Sequence, residues 1–166
     1  MTENAIDCGF SIGKHWFRYR AAAIIVEDGA VLFAGNRNED YIYSVGGGVH
    51  VGERSEDAVR REVCEETGVQ YEVDRLAVIH ENFFDGHGGE WEGLECHEVC
   101  FYYLMKPRGN RELHADSYTH GVPETMHWIP LAELGEVRAY PAFLGEYLAQ
   151  MPDQVWHIVS DERKKL

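Results

Sequence analysis

The chain has 166 residues, of which 45% are apolar and 27% charged: enough for a packed core, and too apolar for a disordered chain. Its 29 Asp and Glu against 15 Lys and Arg leave a formal charge of −14. A surface that negative repels phosphate backbones and excludes a sequence-independent nucleic-acid binder, but it leaves room for cations and for anionic ligands carried in by divalent metals. The acid is concentrated: residues 51–100 hold 14 carboxylates and only four basic side chains, and so carry −10 of the total.

In chain order, Arg18 to Val26 reads as a strand, Glu27-Asp28-Gly29 as a hairpin turn, and Ala30 to Ala34 as its partner strand. Tyr41 to Val45 is a third short strand, stopped by Gly46-Gly47-Gly48. Ser55 suits a helix N-cap, Glu56 and Asp57 suit the first turn, and Gly68 suits the stop, which frames a helix of about 12 residues. Strands follow at Tyr71 to His80 and His97 to Met105. The glycine-rich segment 85–93 between them is either a surface hairpin or a lid. Glu124 to Ile129 is a further strand, Pro130 opens a short helix through Leu134, Pro141 to Gln150 is another helix, and His157 to Ser160 is an edge strand. Strands and helices mixed in this way predict an α/β sandwich or α+β layering in one domain, 1–166.

The acidic helix is the informative element. Glu62, Glu65 and Glu66 stand at i, i+3 and i+4 and share a face, while Val59 and Val63 turn the adjoining side to the core. Such carboxylates lie at the margin of a packed surface, where clustered oxygen ligands call for a hard cation such as Mg²⁺ or Mn²⁺; a solvated acidic face is the plain alternative. Gly46, Gly47 and Gly48 allow backbone to approach a ligand or metal, and Gly47 and Gly48 are the candidate substrate contacts. Glu53 adds a carboxylate before the helix, and Arg61 is placed to brace a carboxylate with a forked hydrogen bond.

Gly47, Glu53 and the run Arg61-Glu62-Val63-Cys64-Glu65-Glu66-Thr67-Gly68-Val69 resemble a complete Nudix box, G-x5-E-x7-R-E-U-x-E-E-x-G-U with U aliphatic, all nine specified positions being filled across 23 residues. The resemblance implies the family's α/β/α sandwich with a mixed β-sheet. It also implies a divalent-metal-dependent pyrophosphohydrolase that cleaves a phosphoanhydride bond in a nucleoside diphosphate linked to another moiety. On that analogy Glu65 and Glu66 are Mg²⁺ or Mn²⁺ ligands with a backbone carbonyl at Gly46 or Gly47, and Glu62 binds a further metal or orients water. Glu53 and Arg61 would fix the loop against the helix.

Members of that family differ in which carboxylate is the general base, several taking it from beyond the box, and the candidates there are Glu98, Glu81 and Glu124. Glu98, mid-strand with Cys96, Cys100 and Tyr102 on its face, is the first of these, as base or extra metal ligand. No subfamily tag is legible: the position 16 residues past the box, where ADP-ribose hydrolases often carry proline, is Asp85. Two rivals are a catalytically silent nucleotide-binding module and an isopentenyl-diphosphate-type isomerase using Cys100 and Glu98. The histidines have no zinc spacing, and Trp128 is expected to pack in the core.

The four cysteines, Cys8, Cys64, Cys96 and Cys100, form no Cys-x-x-Cys pair and are expected as free thiols. No apolar run approaches the roughly 18 residues of a membrane helix, and the acidic N-terminus is unlike a signal peptide. The expected setting is the cytoplasm, with a nucleotide-type small molecule as partner, no nucleic acid or membrane, and a homodimer left open.

Overall fold

In the computed structural model, residues 5–114, 118–119 and 122–164 are described. The strands are β1 (Gly9–Ile12), β2 (His15–Ile24), β3 (Val26–Glu27), β4 (Ala30–Asn36), β5 (Ile42–Tyr43), β6 (Gly46–Gly48), β7 (Val73–Asp85), β8 (Glu95–Met105), β9 (Tyr118–Thr119), β10 (Val122–Pro130), β11 (Ala139–Tyr140) and β12 (Trp156–Asp161). The helices are α1 (Ser55–Thr67) and α2 (Leu144–Gln150), with 3₁₀ turns at Gly89–Trp91 and Leu131–Glu136. One mixed sheet runs β1-β2-β8-β7-β12, with β6 also on β2; the other runs β11-β5-β4-β10-β9, with β3 on β4.

Strand alternation divides the core into two layers. Ala21, Ala23, Ile25, Leu32 and Ala34 pack with Ala58, Val59 and Val63 of α1. Their neighbours Ala22, Ile24, Val31 and Phe33 pack with Leu144, Tyr147 and Leu148 of α2. The uninterrupted apolar run in β2 is therefore buried on both faces, a helix on each side, which is the expected α/β/α sandwich.

The hairpin at Asp28-Gly29 joins β3 to β4 with Glu27 opposite Ala30. α1 spans 13 residues and ends where the expectation put it, at a left-handed Gly68. Several details differ from the sequence reading, among them Pro130, which ends β10, with the turn after it a 3₁₀ one over Leu131–Glu136. The N-cap of α1 is Arg54 without a side-chain cap, and Ser55 is the first helical residue, its hydroxyl engaged with Tyr103 Oη at 2.7 Å. Residues 141–143 form a turn in which Leu144 N–H donates to the Pro141 carbonyl (3.2 Å), so α2 begins at Leu144. Gly46–Gly48 does not merely stop a strand but forms one, antiparallel to β2, with Gly48, Gly47 and Gly46 opposite Arg20, Ala21 and Ala22.

The loop between β7 and β8 is closed on itself by Gly86 N–H to the Leu94 carbonyl (2.7 Å), and its Trp91 packs against Trp16 with ring centroids 4.5 Å apart. Trp128 packs at the edge of the α1-side core, as expected. The four cysteines are free thiols. No helix among the described residues is long and apolar enough to cross a membrane.

Candidate active site

Val59 and Val63, both fully buried, anchor α1 to the sheet and so decide where its carboxylates go. Glu62 turns toward β6. A Cβ on Gly47 would land on the Glu62 carboxylate, well inside contact distance, so only glycine lets that carboxylate lie against the strand backbone. Gly46 has the same close fit on its other side: φ is +151°, and a Cβ would run into the Ala21 carbonyl.

Arg61 ties the loop before α1 to the helix. Its Nε and Nη2 donate to the two oxygens of Glu53, each at 2.9 Å, and Nη2 also donates to the Gly48 carbonyl at 2.9 Å. Nη1 donates to Glu62 Oε1 at 2.6 Å and more distantly to Glu65 Oε2 at 3.4 Å. Glu53 also accepts from His50 N–H at 3.0 Å. The Arg61 hydrogen bonds lead in holding the Glu53 carboxyl below its usual range. At Glu62 burial wins over Arg61 and pushes the pKa up.

Glu66 differs from the others. Its Oε1 accepts from Gly46 N–H at 3.3 Å, while its Oε2 is buried with no hydrogen-bond partner among the described residues. Burial first, then the charge of Glu124, raises its pKa to about 8. Glu124 is held by Tyr43, whose hydroxyl donates to it at 2.7 Å. Of the candidate bases, Glu124 is the one whose charge helps raise the Glu66 pKa.

Glu98 is engaged differently. It sits in the central strand β8, 9% exposed, where Arg18 Nε and Nη2 donate to its Oε2 at 2.8 and 2.5 Å. Its neighbours Cys96, Cys100 and Tyr102 are buried on the same face, as the alternation required. Glu81 is on the outer part of the sheet, 2.6 Å from His157 Nε2. An open groove of about 850 Å³, lined by Phe10, Phe17, Phe83 and His97 among others, contains none of the α1 carboxylates.

Two residues at the centre were not singled out from sequence. Ser44 and Arg20 lie behind β6, and Arg20, 8% exposed, donates to the Ser44 carbonyl at 2.7 Å and to the Gly46 carbonyl at 3.3 Å. The available signal was an arginine abutting the run Ala21-Ala22-Ala23-Ile24-Ile25, a position where the strand pattern already calls for burial.

The donors gathered here are oxygens only, the chemistry that suits Mg²⁺ or Mn²⁺. The orphaned Glu66 Oε2 and the surplus of carboxylates over guanidiniums fit a cation. In the arrangement described Glu62 and Glu65 are engaged with Arg61, and among the described residues no three acidic, imidazole or thiol groups already enclose an ion.

The NUDIX domain family matches residues 17–151, most of the chain and all of the elements that build this site. The chain belongs to the Nudix family. Among solved structures, the Nudix fold is shared with the mutator MutT protein of Bacillus halodurans (18% identity, 84% of this chain and 89% of that one, TM-score 0.65). It is also shared with a MutT protein of Methanosarcina mazei Go1 (19%, 84% and 95%, 0.57). An ADP-ribose pyrophosphatase of Streptococcus suis 89-1591 is similar at 17% identity, over 86% of this chain and 98% of that one, with a TM-score of 0.55. At these identities the likeness is one of Nudix fold. No curated protein matches the chain.

Proposed function

We propose that the protein is a divalent-metal-dependent hydrolase that cleaves a phosphoanhydride bond in a nucleoside diphosphate linked to another moiety. The observation that carries this reading is the Glu66 carboxylate, buried with one oxygen unpartnered among the described residues, beside Glu62 and under the field of Glu124. A buried carboxylate without a partner is costly unless it is protonated or met by a cation. Glu65, Glu66 and the Gly46 carbonyl are the groups that would hold Mg²⁺ or Mn²⁺, with Glu62 as a further ligand or as the group that orients water. Bound there, the cation would neutralise diphosphate charge and polarise the P–O bond.

The chain's own residues supply the rest. Arg61 locks Glu53 and the Gly48 carbonyl to α1, so the loop presents β6 as a fixed edge, and the bare backbone at Gly47 and Gly48 leaves room for a phosphate. Glu124, steadied by Tyr43, is the proposed base from beyond the box, in preference to Glu98, which is committed to Arg18. A cysteine-based isomerisation gains no support from Cys100, whose thiol is pushed up to about 11 by burial.

The deciding experiment measures phosphate-product release from NTPs, oxidised dNTPs, ADP-ribose, nucleotide sugars, NADH and diadenosine polyphosphates with Mg²⁺ or Mn²⁺, for wild type and Glu66→Gln. Metal-dependent turnover by wild type that is lost in the variant is expected. Silence across the panel, with nucleotides still raising Tm, would replace the hydrolase by a binding module.

A further inference from the structure

Arg20 is a buried guanidinium that forms no ion pair among the described residues. Its partners are neutral: Ser44 Oγ at 3.1 Å and Cys100 Sγ at 3.8 Å from Nη1, and the Ser44 and Gly46 carbonyls at 2.7 and 3.3 Å from Nη2. Burying an arginine this deeply is unfavourable unless its hydrogen bonds and nearby charge offset the lost water. Three of the four contacts converge on one short stretch, 44–46, which runs into β6.

That stretch runs into a strand without side chains, held by its ladder with β2. β6 is three glycines, so no side chain of its own packs to fix the direction of its peptide planes, and Gly46 holds a φ that glycine alone adopts readily. Its orientation depends on hydrogen bonds. The Gly46 N–H is taken by Glu66 at 3.3 Å and the Gly46 carbonyl by Arg20 at 3.3 Å, so this residue is gripped at both ends, from α1 on one side and from β2 on the other.

We propose that Arg20 is a positioning residue of the cation site: its planar guanidinium, with Nη2 on the Ser44 and Gly46 carbonyls and Nη1 on Ser44 Oγ, fixes the glycine strand from the β2 side while Glu66 takes the Gly46 N–H from the α1 side. The inference rests on the hydrolase reading above. It requires the shape of the guanidinium and not only its charge, since a lysine ammonium is a single point that cannot hold several acceptors in a rigid plane.

The test is Arg20→Lys, which keeps the charge and removes the fork, with Glu66→Gln as the control. Mn²⁺ binding to the metal-free proteins is followed by electron paramagnetic resonance, alongside circular dichroism melts and steady-state kinetics on the best substrate of the panel. Arg20→Lys is expected to fold and to bind Mn²⁺ about 10- to 100-fold more weakly, the range usual when a group that orients a metal ligand is lost. Its kcat should fall by more than its KM rises. A folded Arg20→Lys protein that binds Mn²⁺ as wild type does overturns the proposal while leaving the hydrolase reading intact. Wild type lacking any Glu66-dependent Mn²⁺ binding overturns both. Should the variant not fold, a Mg²⁺ titration of isotope-labelled wild type decides: the Arg20 Nε and Gly46 carbonyl resonances should move together with one midpoint, and an Arg20 Nε signal indifferent to Mg²⁺ overturns the proposal.

Discussion

At the scale of single residues, the site is a contest between burial and pairing. Glu53 and Glu66 are both box glutamates, but Arg61 forks onto one and no described residue hydrogen-bonds the second oxygen of the other. Their pKa values move in opposite directions for that reason. For Glu66 the folded value of about 8 lies above the ordinary 4.5, so the folded protein holds a proton that the unfolded chain has released. Stability is then fully present below pH 4.5 and is lost as pH rises toward 8, by up to about 1.4 kcal/mol per pH unit across that window. Denaturant melts of EDTA-treated protein from pH 5 to 9 should show this decline in wild type and a flatter profile in Glu66→Gln. Equal slopes would mean that Glu66 ionises normally in the fold. With metal present, the same substitution is expected to lower turnover at least a hundredfold, on the order of an electrostatic contact removed from the reacting centre.

At the scale of elements, the unit that matters is α1 against β6. Three glutamates on one helix face repel one another and weaken an isolated helix; packing of Val59 and Val63 and the Arg61 fork hold it in place. The glycines of β6 let the strand come this close. Gly46→Ala puts a methyl group into the Ala21 carbonyl and an alanine at φ +151°, and the backbone strain alone should cost roughly 1–3 kcal/mol. A thermal melt checks it, and an unshifted Tm would show that β6 can move away from β2. Gly47→Ala reads out differently: its methyl group displaces Glu62, so activity should fall at least tenfold while the melt moves less than for Gly46→Ala, measured by kcat/KM beside the same melts.

At the scale of the whole molecule, the site joins parts that are far apart in sequence. β2 supplies Arg20, α1 Glu62, Glu65 and Glu66, and β10 brings Glu124 in by pairing with β4, Glu124 opposite Asn36. A cation held by these parts binds the folded chain and not the unfolded one, so it should stabilise all of them together. At Mg²⁺ or Mn²⁺ about 100 times its Kd, mass action adds about 2.7 kcal/mol, and Tm should rise accordingly. A Tm indifferent to millimolar metal in wild type, with no difference from Glu66→Gln, would speak against a site already assembled in the fold.

The sequence by itself determined the box, the C-terminal limit of α1, the strand at β2 and the pairing capacity of Arg61. Each follows from local chemistry: helical spacing puts Glu62, Glu65 and Glu66 together, alternation puts Ala21 and Ala22 on opposite faces, and Gly68 ends the helix. The Nudix resemblance added the expectation of the sandwich on the strength of those same residues. Only the tertiary structure shows how Glu98 and Glu124 are partnered. Alternation correctly put Glu98 inside the sheet, but the parallel pairing of β2 with β8 set Arg18 opposite it and used it in an ion pair. The same holds for Gly46–Gly48, whose sequence reads as a break until β2 is alongside, and for Arg20, whose role depends on Ser44 and Gly46 being folded over it. Strand register joins residues dozens of positions apart, and no local pattern records which strand will lie beside which.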